Sequence, residues 1–127
     1  MKHNIENLIN KQTPGINISL LESGTKLTIE TKNSVYKIEI IDKAEITIMG
    51  GMDKNGDIRF PQPEEVFFNG STFGGSMIKP NWIGQGMNME IQFEHMVFVS
   101  SPVKEIEIEA PDGSWQYAMN WKKEFPA

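Results

Sequence analysis

From Leu27 onward the chain alternates apolar and polar positions with a period of two. Leu27 and Ile29 interleave with Thr28 and Glu30; Tyr36, Ile38 and Ile40 with Lys37 and Glu39; Ile46 and Ile48 flank Thr47. Met87, Met89, Ile91 and Phe93 follow the same rule, as do Ile106 and Ile108 among Glu105, Glu107 and Glu109. Successive strand side chains point to opposite faces, so this pattern predicts strands with one buried face. Trp115, Tyr117, Met119 and Trp121 share one face and are expected in the core, since aromatic residues suit pleated, half-buried surfaces. Val66-Phe67-Phe68 and Met96-Val97-Phe98-Val99 are apolar throughout and predict strands covered on both sides. Only the beginning has a helical period: after Asn4, a candidate N-cap, Ile5, Leu8 and Ile9 fall on one face, and Thr13-Pro14-Gly15 ends the pattern.

Turn residues punctuate the strands at hairpin spacing: Glu22-Ser23-Gly24, Lys32-Asn33, Lys54-Asn55-Gly56 and Pro111-Asp112-Gly113. Glycine and asparagine tolerate the positive φ of such turns, and proline presets their first residue. Many short strands on this spacing predict an all-β fold, a small antiparallel β-barrel or two-sheet roll with one short N-terminal helix. A single domain is expected over residues 1–127, the helix over 1–12 and the barrel or roll over 16–121.

Composition narrows the function classes. The 127 residues are 39% hydrophobic and 23% charged, an ordinary globular balance long enough to bury one core. With no cysteine there is no disulfide framework and no thiolate nucleophile, which suits a reducing cytoplasm. The first seven residues lack the apolar run of a secretory leader, and no stretch is apolar for a membrane span. A net charge of −5 with Arg59 as the only arginine argues against nucleic acid and against an anionic membrane surface, both of which need clustered cations.

Catalytic chemistry is not visible. There is no G-x-S-x-G elbow, His3 falls in the expected helix, and His95 falls at a hairpin where polar residues are ordinary. Asp53-Lys54-Asn55-Gly56-Asp57 spaces oxygen ligands like a calcium loop, but its glycine comes early and prolines follow at 61 and 63, so a hairpin turn is expected. Glu90, Glu94, His95 and Asp57 are the remaining acid–base groups an enzyme reading would use. No catalytic residue, metal or cofactor is therefore assigned.

The one compositional anomaly is Asn69-Gly70-Ser71-Thr72-Phe73-Gly74-Gly75-Ser76, with Trp82 shortly after. Glycine-rich backbone can form an anion-binding nest, or it can kink a strand where another backbone passes close. The segment is neither a phosphate loop nor a dinucleotide fingerprint, and the kinked strand at a corner is the preferred reading. Asn69-Gly70-Ser71-Thr72-Phe73-Gly74 resembles the [DN]-x-S-x-x-G motif of PilZ domains, small β-barrels that bind cyclic di-GMP. Those receptors also clamp their ligand with an R-x-x-x-R pair; here Arg59 is followed four residues later by Pro63, which implies a degenerate receptor.

Over most of its length the chain also resembles a family of small uncharacterised bacterial all-β proteins. The matching pieces are Thr31-Lys32-Asn33-Ser34-Val35-Tyr36, Gly50-Gly51, Gly70-Ser71 with Gly74-Gly75-Ser76, Ile83-Gly84-Gln85-Gly86-Met87 with Met89-Glu90, and Ser100-Ser101-Pro102-Val103. This resemblance implies the fold and a bacterial or phage source. The function expected is a non-catalytic binding or assembly module, contacting a protein partner or a second copy through Asn69–Ser76, Phe73 and Trp82. A nucleotide or other small anionic ligand is the alternative.

Overall fold

The alternating segments pair as antiparallel strands, and turn chemistry decides where each one ends. The structure is a computed structural model that describes residues 14–73 and 77–120. In chain order these form β1 (Gly15–Asn17), a 3-10 turn (Ile18–Leu20), β2 (Lys26–Thr31), β3 (Val35–Asp42), β4 (Glu45–Met52), β5 (Ile58–Thr72), β6 (Ile78–Pro80), β7 (Trp82–Gly84), β8 (Asn88–Phe93), β9 (Met96–Glu109) and β10 (Gln116–Asn120). The expected helix over 1–12 lies outside the described residues. Among those residues no helix is long and apolar enough to cross a membrane.

β1 and β7 form a separate two-stranded ribbon, while the other strands run in the order β10-β9-β2-β3-β4-β5-β6. β8 pairs with β5 on one side and β9 on the other, so the pairings pass in a circuit through β2, β3, β4, β5, β8 and β9. The two long strands make this circuit possible. β5 pairs with β4 through its first ten residues or so and with β8 from Phe67 onward; β9 pairs with β8 up to Pro102 and with β2 from Val103. Pro61 and Pro63 do not interrupt β5. Ile48 pairs with Glu64 and Gly50 with Phe60, so both prolines fall in a bulge where a lost N–H breaks no ladder bond.

One face of the circuit is apolar. Leu27, Ile29, Ile38, Ile40, Ile46, Ile48, Phe68, Ile91 and Ile106 are buried together, and Phe60 meets Phe93 and Phe98 edge-to-face at 5.9 and 5.4 Å. Each fully buried side chain of this kind contributes roughly 1.5–3 kcal/mol, which is how short strands become a stable domain.

Two expectations need correction. Val66 and Phe68 are buried but Phe67 between them is 54% exposed, and Val97 and Val99 on β9 are also exposed. These apolar runs are therefore covered on one face only: Phe67, Gln92 and Val97 form a cross-strand row on the outside of β5, β8 and β9. On β10, Tyr117 and Met119 pair with Ile108 and Ile106, so they do share the core face. Yet Tyr117 is 60% exposed and Trp115 is half exposed, because β10 lies at the margin of the sheet, past the core that its face would cover. Trp121 lies outside the described residues.

Candidate functional site

Three of the sequence pieces quoted above meet at one end of the fold. The β2–β3 hairpin begins at Thr31, whose buried hydroxyl accepts from the Ser34 amide at 3.1 Å and from the Ser101 hydroxyl at 2.7 Å. The Ser101 hydroxyl accepts from the Asn33 amide, and the Lys32 amide donates to the Pro102 carbonyl at 2.9 Å. Ser100 accepts from the Met89 amide and donates to the Ser101 carbonyl. Hydroxyls thus tie the hairpin tip to the middle of β9, where β9 changes partner from β8 to β2.

Tyr36 points inward just beyond this tip and pairs with Gly50 on β4. Its ring requires the glycine pair. A Cβ on Gly51, whose φ is +77°, would overlap the Tyr36 ring at Cε1 and lie 2.8 Å from Cζ. The next turn follows at once: the Asp53 carboxylate accepts from the amides of Asn55 and Asp57 at 2.9 and 3.0 Å, a turn closed by an aspartate side chain as its sequence predicts. That turn delivers Arg59, whose guanidinium carbon sits 4.7 Å from the centroid of the Phe98 ring. Burial pushes the Tyr36 pKa up, opposed by the charge of Arg59 and by hydrogen bonds from Ser34 and Arg59.

These elements enclose a cleft of about 480 Å³, lined by Asn33, Ser34, Tyr36, Met52, Asp53, Lys54, Gly56, Arg59, Val99, Ser100 and Ser101. Its walls carry Arg59 and Lys54 against the single carboxylate of Asp53, and one oxygen of that carboxylate is engaged by the turn amides. A planar guanidinium held on an aromatic face presents a pre-oriented fork for a carboxylate or phosphate. The cleft is therefore suited to a small ligand with anionic oxygens. Among the described residues no cluster of three or more His, Asp or Glu is placed to hold a metal ion.

The glycine–serine segment is different. Asn69, half-buried, donates its side-chain amide to Glu90 at 3.1 Å. Gly70, Ser71 and Thr72 are buried, and the Ser71 hydroxyl donates to the Trp82 carbonyl. A Cβ on Gly70 would collide with the Lys79 carbonyl oxygen and lie 2.9 Å from its carbon, so the glycine admits the backbone of β6. Phe73 is exposed; Gly74, Gly75 and Ser76 lie outside the described residues. Trp82 is half-buried with the Lys79 ammonium 5.1 Å from its ring, and its indole N–H is buried without a hydrogen-bond partner. Asn69–Thr72 and Trp82 do come together, but as a packed corner.

The acid–base groups are dispersed. Glu94 and His95 form the exposed two-residue turn between β8 and β9, with Glu94 at φ +57°, and Asp57 belongs to the β4–β5 turn. Glu94 lines an outer-face groove with Glu45, Glu65 and Phe67, while Glu90 is engaged by Asn69. Along the chain Arg59 stands out as the only arginine, one without a PilZ companion, and Tyr36 reads as an inward strand residue. The available signal was Gly50-Gly51, a pair with no turn to explain it. No protein-family model, no curated protein and no solved structure matches the chain.

Proposed function

We propose that this protein is a non-catalytic binding module, a small antiparallel β-barrel whose ligand site is the Arg59 cleft. The ligand is a small molecule carrying carboxylate or phosphate oxygens. One observation carries this reading: the only arginine of an acidic chain is held against Phe98 and Tyr36 on the wall of a polar cleft. An arginine with a merely solubilising role has no reason to rest on the Phe98 ring beside the Tyr36 hydroxyl. The circuit of pairings through β2, β3, β4, β5, β8 and β9 supports the barrel, and the absence of cysteine fits a reducing compartment such as the cytoplasm.

The test is thermal stabilisation and calorimetry with inorganic phosphate, citrate, AMP and cyclic di-GMP, the last because Asn69–Gly74 resembles the PilZ motif. At least one should raise the melting temperature of the native protein at millimolar concentration. Arg59→Gln should weaken that binding tenfold or more, a loss typical of a charge-assisted hydrogen bond, while changing stability by only about 1 kcal/mol. No response to any of the four anions, or undiminished binding by Arg59→Gln, would remove the reading.

A further inference from the structure

The two marginal strands of the main sheet are protected very differently. β6 is only Ile78-Lys79-Pro80, short and carrying both a lysine and a proline, the usual devices that stop an edge from pairing with another chain. β10 is Gln116-Tyr117-Ala118-Met119-Asn120, with neither charge nor proline, and among the described residues it pairs only with β9. The Ala110 amide donates to the Trp115 carbonyl at 3.0 Å, which sets the alternation along the strand. Tyr117 and Met119 direct their backbone groups to β9, whereas Gln116, Ala118 and Asn120 direct theirs to the open edge. Beside that edge the core-face aromatics Trp115 and Tyr117 stand exposed.

We propose that β10 is a self-pairing edge through which two copies of this chain join antiparallel about Ala118. In this register the outward backbone groups of Ala118 meet those of Ala118 in the second copy, and Gln116 pairs with Asn120. Tyr117 then faces Met119 across the junction on the apolar side, a favourable sulfur–aromatic pairing. The arrangement is isologous and closes as a dimer. Charge selects this strand. The chain carries −5, and Glu105, Glu107 and Glu109 stand opposite Asn120, Ala118 and Gln116 on β9. Across the junction those glutamate rows are separated by three strand spacings, roughly 14 Å, which exceeds the Debye length of about 8 Å in physiological salt. An uncharged edge set back from the carboxylates lets two acidic copies approach.

Sedimentation of the full chain over a range of concentrations tests this. The native protein should show a reversible monomer–dimer equilibrium. Ala118→Pro deletes an outward N–H and none of the bonds to β9, so it should weaken dimerisation at least tenfold. Should the proline unfold β10, Ala118→Lys decides instead, because at the two-fold axis the new lysine meets its own copy while Glu107 still faces it within each chain. Hydrogen exchange at Gln116, Ala118 and Asn120 should slow as protein concentration rises, with the amide of Tyr117 unaffected. A native chain that stays monomeric at high concentration, or a folded Ala118→Lys variant that dimerises as well as the native one, overturns the proposal.

Discussion

The corner at Gly70 and the cleft at Gly51 both exist because a glycine lets something come unusually close. At the corner the neighbour is backbone: the Lys79 carbonyl occupies the space of the missing Cβ, and the adjacent Ser71 hydroxyl is committed to another carbonyl. Among the described residues of this corner, Gly70, Ser71 and Thr72 are all buried in the packing. At the cleft the neighbour is a side chain, the Tyr36 ring, and its hydroxyl stays beside Arg59 on the cleft wall. The same residue type therefore closes one region and opens the other. What differs is whether the glycine admits main chain or a side chain with chemistry of its own.

The sharpest way to break the comparison is Gly70→Ala. The added methyl meets rigid backbone at a φ of +145°, so overpacking and backbone strain together should cost on the order of 4 kcal/mol in urea unfolding. Anion affinity of the remaining folded protein should not change. Gly51→Ala comes next, at about 2–3 kcal/mol, because the ring it strikes can rotate away even though φ is +77°. Here affinity should also fall, since Tyr36 and with it Arg59 are displaced. Equal losses of affinity in the two variants would show that the regions are not functionally distinct.

The smallest effect is that of Tyr36→Phe. At neutral pH, losing the hydroxyl and its partners should cost about 1 kcal/mol. The pH dependence is more telling. The folded pKa of Tyr36 lies above its ordinary value of 10.0, so above that pH the unfolded chain loses its proton first. Fewer protons bound in the unfolded state means that stability falls as pH rises. The full contribution is present below pH 10 and is lost as pH climbs toward the folded pKa. Denaturation followed from neutral to strongly alkaline pH should show this decline in the native protein and a shallower one in Tyr36→Phe.

Much of the fold was legible along the chain, and the reason is the period-two alternation. Leu27–Ile29, Tyr36–Ile40, Ile46–Ile48, Met89–Ile91 and Ile106–Ile108 all bury the residues that alternation assigns to the core. Their turns at 32–33, 54–56 and 111–113 also fall between strands. The apolar runs were less informative, because Phe67 and Val97 carry no mark that tells a covered face from a bare one. β1, β6 and β7 were too short, at three residues each, to show a period. Of the candidate site, Asn69–Thr72 and Trp82 were visible as composition, whereas Arg59 and Tyr36 lie 23 positions apart in the chain and acquire meaning only together.

By itself, then, the sequence determined which side of each strand is buried and where the chain turns, since both depend on neighbouring residues and on local φ preferences. It also determined the chain's acidic, cysteine-free character. Only the tertiary structure decided which glycines admit backbone and which admit a ring, where the arginine rests, and which strand, among the described residues, stands at an edge of the sheet. Those are outcomes of pairing between segments far apart in the chain, and register across a sheet is not written in any one strand.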